Sequence, residues 1–225
     1  MDKRRDESVR ASPMAETLED LLRAIRACQT CAAHLPLGPR PVLHVSRTAR
    51  LLIASQAPGT RVHETGQSFN DASGDRLRGW MGVDRATFYD SSRIALVPMG
   101  LCYPGRLPKG GDCPPRPECA PQWRERIMAQ MPELELTLVV GSYAQLHILG
   151  KGKVSERCLD FRHYLPRYFP LPHPSWRTGA WERRTPQFGA DVLPALRACV
   201  HAVLEGRPVP EIAPSAEWEA FSPPS

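Results

Sequence analysis

No stretch of the chain approaches the ~18 consecutive apolar residues of a membrane-spanning helix, and the opening MDKRRDESVRASPMAE lacks the apolar run of a secretion signal. Neither a membrane anchor nor export is expected, so the chain reads as cytoplasmic; a monomer is also expected. Cysteine is sparse, seven in 225 residues, which excludes a disulfide-framed scaffold; in a reducing compartment grouped cysteines point to metal binding or catalysis. Lysine is scarcer still. Only Lys3, Lys109, Lys151 and Lys153 are lysine among 29 basic residues, and the arginine that supplies the rest suits phosphate oxygens through its planar donor fork. A net charge of +5 permits a polyanionic partner without requiring one. Proline is what the chain has in excess: 24 residues against a usual ~5%, which implies long stiff loops and tails.

Residues 1–14 are polar and expected to be flexible, and 207–225 (RPVPEIAPSAEWEAFSPPS) form a proline-rich tail expected to lack fixed structure. The folded unit is placed at 15–206. Leu18, Leu21, Leu22 and Ile25 recur at helical spacing behind Thr17, so the first element is an amphipathic helix ending near Cys28. Short aliphatic runs at 49–55, 93–99 and 134–140, with a weaker one at 167–172, read as strands. Helical segments are predicted at Ser73–Met81, Pro121–Met131, Ser142–Leu149 and Gln187–Leu204. Alternating strands and helices define an α/β class, a three-layer α/β/α sandwich around a short, mainly parallel four-stranded sheet. Ligand sites in such sheets lie beyond the carboxyl ends of the strands, so the loops after residues 55, 99 and 172 are where chemistry is expected.

The first of those loops, residues 55–77, turns sharply at Pro58-Gly59. It carries Gln56, His63, Glu64, Phe69, Asn70, Asp71 and Asp75 in a polar run where one phenylalanine stands out. The last loop holds His173 between two prolines, a rigid setting for an imidazole.

These motifs resemble the uracil-DNA glycosylase superfamily, most closely its iron-sulfur branch, often called family 4. SQAPG followed by Gly66, Phe69, Gly74 and Leu77 matches the branch's first motif in register; VVGSYAQLHILG (139–150) matches its middle motif and His173-Pro174-Ser175 its last. The resemblance covers residues 20–204. It implies that uracil is flipped out of DNA into a pocket and read there, and that its N-glycosidic bond is hydrolysed to leave an abasic site. Phe69 would stack on the base, and His173 would donate to a uracil carbonyl, helped by backbone amides of the Gln56-Ala57-Pro58-Gly59 turn. Ser175, Trp176 and Arg177 would contact DNA, with the tryptophan as a wedge. Cys28, Cys31, Cys102 and Cys119 match the spacing that ligates one [4Fe-4S] cluster; zinc, or no metal, is the alternative, and Cys113 could replace Cys119.

The chain also departs from the pattern. Ala57 stands where family 1 carries its water-activating aspartate, and Gln56 where family 4 carries glutamate. His63 could then act as base or orient water, as could Glu64 or Asp71. Pro98 replaces the asparagine that reads the uracil edge, for which Asn70 is the substitute. These changes leave open a glycosylase for hypoxanthine or xanthine, and a protein that binds uracil-DNA with little turnover.

Overall fold

The computed structural model describes residues 16–213; the expected flexible N-terminus and the tail beyond residue 213 lie outside the described residues. In chain order the elements are α1 (Leu18–Arg26), β1 (Leu51–Ala54), α2 (Thr60–Thr65), α3 (Ala72–Met81), α4 (Arg85–Tyr89), β2 (Ile94–Leu96), α5 (Cys119–Ala129), β3 (Leu136–Val140), α6 (Gly141–Leu149), α7 (Val154–Leu159), β4 (Tyr168–Leu171), α8 (Gly179–Arg184) and α9 (Leu193–Leu204). The four strands form one sheet in the order β2-β1-β3-β4, and every neighbouring pair is parallel.

Side-chain alternation along these strands builds the layers. Leu51, Ile53, Leu136, Leu138 and Val140 face a core closed by Leu77, Met81, Phe161, Phe188 and the α9 residues Leu196, Val200 and Val203. Leu52, Ala95 and Val97 face the opposite side, where Leu21 and Ile25 of α1 meet Trp123 and Ile127 of α5. Both faces are therefore covered, and all four residues of β1, Leu51–Ala54, are buried, as in a parallel sheet with helices on both sides. Each fully buried leucine, isoleucine, valine or phenylalanine among these core residues contributes about 1.5–3 kcal/mol relative to an exposed one.

Helix α1 begins as its sequence predicts: Thr17 Oγ1 accepts from the Asp20 amide at 3.2 Å. The predicted helix over Gln187–Leu204 instead opens with a π-helical turn at Phe188–Val192 before α9. Pro194 in the first turn of α9 lacks the amide hydrogen that a continuous α-helix would use. Helices α2, α4, α7 and α8 span only five or six residues each, too few for an apolar period to register. The chain also stays in contact past 206. Val209 and Ile212 pack against the core, and Arg162 donates to the carbonyls of Ile212 at 3.2 Å and Ala213 at 3.0 Å.

Candidate active site and thiol cleft

The carboxyl ends of β1 and β4 open onto a cavity of about 530 Å³, within the range of small-ligand sites. Its wall after β1 is the Gln56–Gly59 turn. This turn is tied to the extension of β2 by bonds from the Met99 amide to the Ser55 carbonyl (2.8 Å) and from the Gly100 amide to the Gln56 carbonyl (3.0 Å). The Gln56 side chain spends its amide on the Cys113 carbonyl at 3.1 Å. It thereby anchors the segment that carries the opposite wall, an antiparallel hairpin bridged at Arg106 and Asp112.

Phe69 lines this cavity in a left-handed backbone conformation, φ 54°, which a bulky residue adopts only under constraint. The constraint is visible. The Phe69 carbonyl accepts from Tyr89 Oη at 3.0 Å and from the Arg78 guanidinium at 3.3 Å. The first turn of α3 crosses so close to it that a Cβ on Gly74 would stand 1.7 Å from the carbonyl oxygen. The ring meets Phe88 edge-on at 5.9 Å between centroids.

His173 follows β4. Its carbonyl accepts from the Ser175 amide at 2.8 Å and from Thr178 Oγ1 at 2.5 Å. Gly141, at the start of α6, lets the backbone pass against the imidazole: a Cβ there would lie 3.6 Å from His173 Cδ2. Burial holds the imidazole below histidine's usual value, with Asp71 and Asp112 pulling weakly the other way. It is therefore neutral near pH 7 and can donate one N–H without carrying charge. Trp176 stands at the mouth with 81% of its surface exposed. The Arg177 guanidinium lies 5.6 Å from that ring's centroid, beside the hairpin tip at Gly111.

The structure thus gathers Gln56, Ala57, Pro58, Gly59, Phe69, His173, Ser175, Trp176 and Arg177 on one cavity. Two expected members fall outside its lining. His63 is buried with its ring 6.0 Å from that of Tyr103, because α2 turns it inward. Asn70 Oδ1 accepts from the Arg85 guanidinium at 2.8 Å. Pro98 does line the cavity, and its side chain has nothing with which to read a base edge. Sequence reasoning missed Asp112 and Ser142, both on the wall. The signal for Asp112 was the Lys-Gly-Gly-Asp run, residues 109–112, which marks a tight hairpin turn.

A second, apolar cleft is lined by Cys28, Cys31, Cys102 and Cys119 together with Leu35, Pro39, Pro41, Leu101 and Trp123. Gly100 separates it from the cavity, close to Ala57 and Pro115. Burial, then repulsion from the neighbouring thiols, pushes Cys102 and Cys119 up to about 11, against opposing backbone hydrogen bonds. Burial also raises Cys28, but hydrogen bonds from Thr30, Trp123 and Gln122 outweigh it and leave that thiol lowered. Cys113 lies on the hairpin near Gly105 instead. Among the described residues no group of three or more His, Cys, Asp or Glu is placed to hold a metal ion. Cys158 and Cys199 are buried and pushed up to about 12 by desolvation, as inert core thiols are.

A parallel α/β sheet with a cavity at its carboxyl edge, a neutral histidine and a constrained aromatic ring defines a ligand-binding site of the enzyme type. The family model of the uracil DNA glycosylase superfamily matches residues 44–197, more than half of the chain, and the chain belongs to that superfamily. A solution structure from Methanosarcina acetivorans, of a protein described as a candidate uracil DNA glycosylase, covers 70% of this chain and 96% of its own. Its identity to this chain is 17% and its TM-score 0.41. No helix among the described residues is long and apolar enough to cross a membrane.

Proposed function

We propose that the protein removes uracil, and other deaminated bases, from DNA by monofunctional hydrolysis, and that it stands closest to the iron-sulfur branch of its superfamily. The observation that carries this reading is the pairing of Phe69 and His173 on one cavity at the carboxyl ends of β1 and β4. Cleaving an N-glycosidic bond leaves negative charge on the departing base. A fixed donor in a partly dry site stabilises that charge without reorganisation, and neutral His173 is such a donor. Phe69 offers the stacking face, fixed in place by Tyr89, Arg78 and α3. Exposed Trp176 is free to enter the base stack as the nucleotide leaves, with Arg177 beside it for phosphate. Among the described residues lining the cavity none is lysine, which favours attack by water over Schiff-base chemistry. Pro98 in place of an amide relaxes selection at the base edge, and this supports hypoxanthine and xanthine as further substrates.

Cys28, Cys31, Cys102 and Cys119 would hold a [4Fe-4S] cluster. No three of these thiols are placed to share a single ion; the support for a multi-iron cluster is that all four line one apolar cleft and that the Leu101 amide donates to Cys119 Sγ at 3.3 Å. Such a cluster would supply a crosslink between the end of α1, the loop after β2 and the start of α5.

The test is incubation with oligonucleotides carrying uracil, hypoxanthine or xanthine, single-stranded and duplex, followed by hot alkali. Strand scission at the modified base is expected. A retarded band on a native gel without scission would instead indicate a lesion-binding protein.

A further inference from the structure

The reading above lacks a group that activates water, since Ala57 and Gln56 cannot take a proton. We propose that Asp112, presented by the hairpin that follows β2, is the catalytic base of this site. This inference rests on the proposed glycosylase function and completes it.

The geometry favours Asp112 over every other acid or imidazole of the neighbourhood. His63 faces Tyr103 rather than the cavity. Glu64 is exposed and also outside the lining. Asp71 lines the cavity, but its Oδ1 caps α3 through the Gly74 amide at 2.9 Å. The Asp112 carboxylate lines the same wall and makes no hydrogen bond or ion pair within 4.0 Å among the described residues. It faces the turn after β1: a Cβ on Gly59 would stand 3.2 Å from Asp112 Oδ2, so the glycine leaves it room. Its placement is built in. The Leu107 amide donates to the Gly111 carbonyl (2.9 Å) and the Cys113 amide to the Gly105 carbonyl (2.8 Å), while Gln56 fixes the Cys113 carbonyl. The glutamine at the family's acidic position thus holds the hairpin that brings in another acid.

In the step, water oxygen bonds to the sugar C1′ as the C1′–N bond breaks. The bond pair leaves on the base, whose developing oxyanion accepts a hydrogen bond from His173. Asp112 takes the water proton and later releases it to solvent. No oxidant or further reactant is needed. The charged groups around Asp112 are Arg106, His173 and Asp71, with Arg177 at the adjacent Gly111. Partial burial raises its carboxyl above the usual aspartate value, Arg106 and His173 opposing. The active, deprotonated form therefore accumulates as pH rises through that raised value.

The experiment measures single-turnover uracil release against pH, and oligonucleotide affinity, for the wild type, Asp112→Asn and Asp112→Glu. Asp112→Asn is expected to cut the rate by about 100-fold or more, to leave affinity within about threefold, well under the tenfold of 1.4 kcal/mol, and to lose the acidic limb of the profile. Asp112→Glu, which restores a carboxylate, should recover much of the rate and the limb. Equal release by wild type and Asp112→Asn, or an unchanged acidic limb in Asp112→Asn, overturns the role of Asp112 while leaving the glycosylase reading intact. A wild type that releases no base overturns both.

Discussion

Gly74→Ala should disable the site from behind. The added Cβ would stand 1.7 Å from the Phe69 carbonyl oxygen, 2.6 Å from its carbon and 2.9 Å from the Phe69 Cβ. To restore an ordinary 3.4 Å contact, the first turn of α3 and residue 69 must separate by about 1.7 Å. That movement breaks the bonds from Tyr89 and Arg78 that hold the φ 54° conformation. Overpacking against backbone costs about 3 kcal/mol, and for a domain of this size the melting temperature should fall by roughly 6–12 °C. A stacking platform displaced by about 1 Å should slow excision by roughly 100-fold. Gly79→Ala is the control on the same helix. A Cβ there meets nothing within 4 Å, so it should be neutral or stabilising by up to about 1 kcal/mol and leave excision intact. Thermal melting and single-turnover excision on both variants decide the matter. A Gly74→Ala protein that melts and cuts like wild type would refute the claim that α3 fixes Phe69.

Trp176→Ala should leave the melting temperature unchanged, because the residue is 81% exposed, yet weaken duplex binding by about fivefold or more, the lower end of base-stacking losses; equal affinity on duplex DNA would remove the wedge role. Anaerobically purified protein should be brown, with iron and acid-labile sulfide in equal amounts, and Cys119→Ser should lose this while Cys113→Ser keeps it. A colourless protein with one zinc would sink the cluster. Burial lowers His44, His147 and His173 from 6.5, so the unfolded chain binds more protons than the fold just below that value. Their stabilising effect is complete above pH 6.5 and declines as pH falls through it. Melting temperature should therefore drop on going from about pH 7.5 to about pH 5.5. A flat profile would contradict the burial assigned to them.

The layers were legible because β1, β2 and β3 carry aliphatic runs buried on both faces, a pattern that only a covered parallel sheet satisfies. The cavity was legible in outline because motif residues sit at strand ends, where topology puts ligands. Individual roles within the long loops were not. Whether His63 or Asn70 faces the cavity depends on short helix α2 and on a distant Arg85, neither of which leaves a periodic trace. Asp112 was hidden for a different reason: it lies 57 positions after the Ser55 that opens the motif loop, and only the folded hairpin returns it to the cavity. The π-helical turn before α9 likewise follows from local competition at Pro194, which a helical pattern extending back to Gln187 conceals.

The central claim is tested most directly by chromatographic detection of free uracil from a uracil-containing oligonucleotide, comparing wild type with His173→Ala. Wild type should release uracil, and the variant should do so about 100-fold or more slowly, the loss typical of removing one oxyanion donor, while still retarding the oligonucleotide on a gel. Release at an undiminished rate by His173→Ala, or none from wild type on any deaminated base, would contradict it.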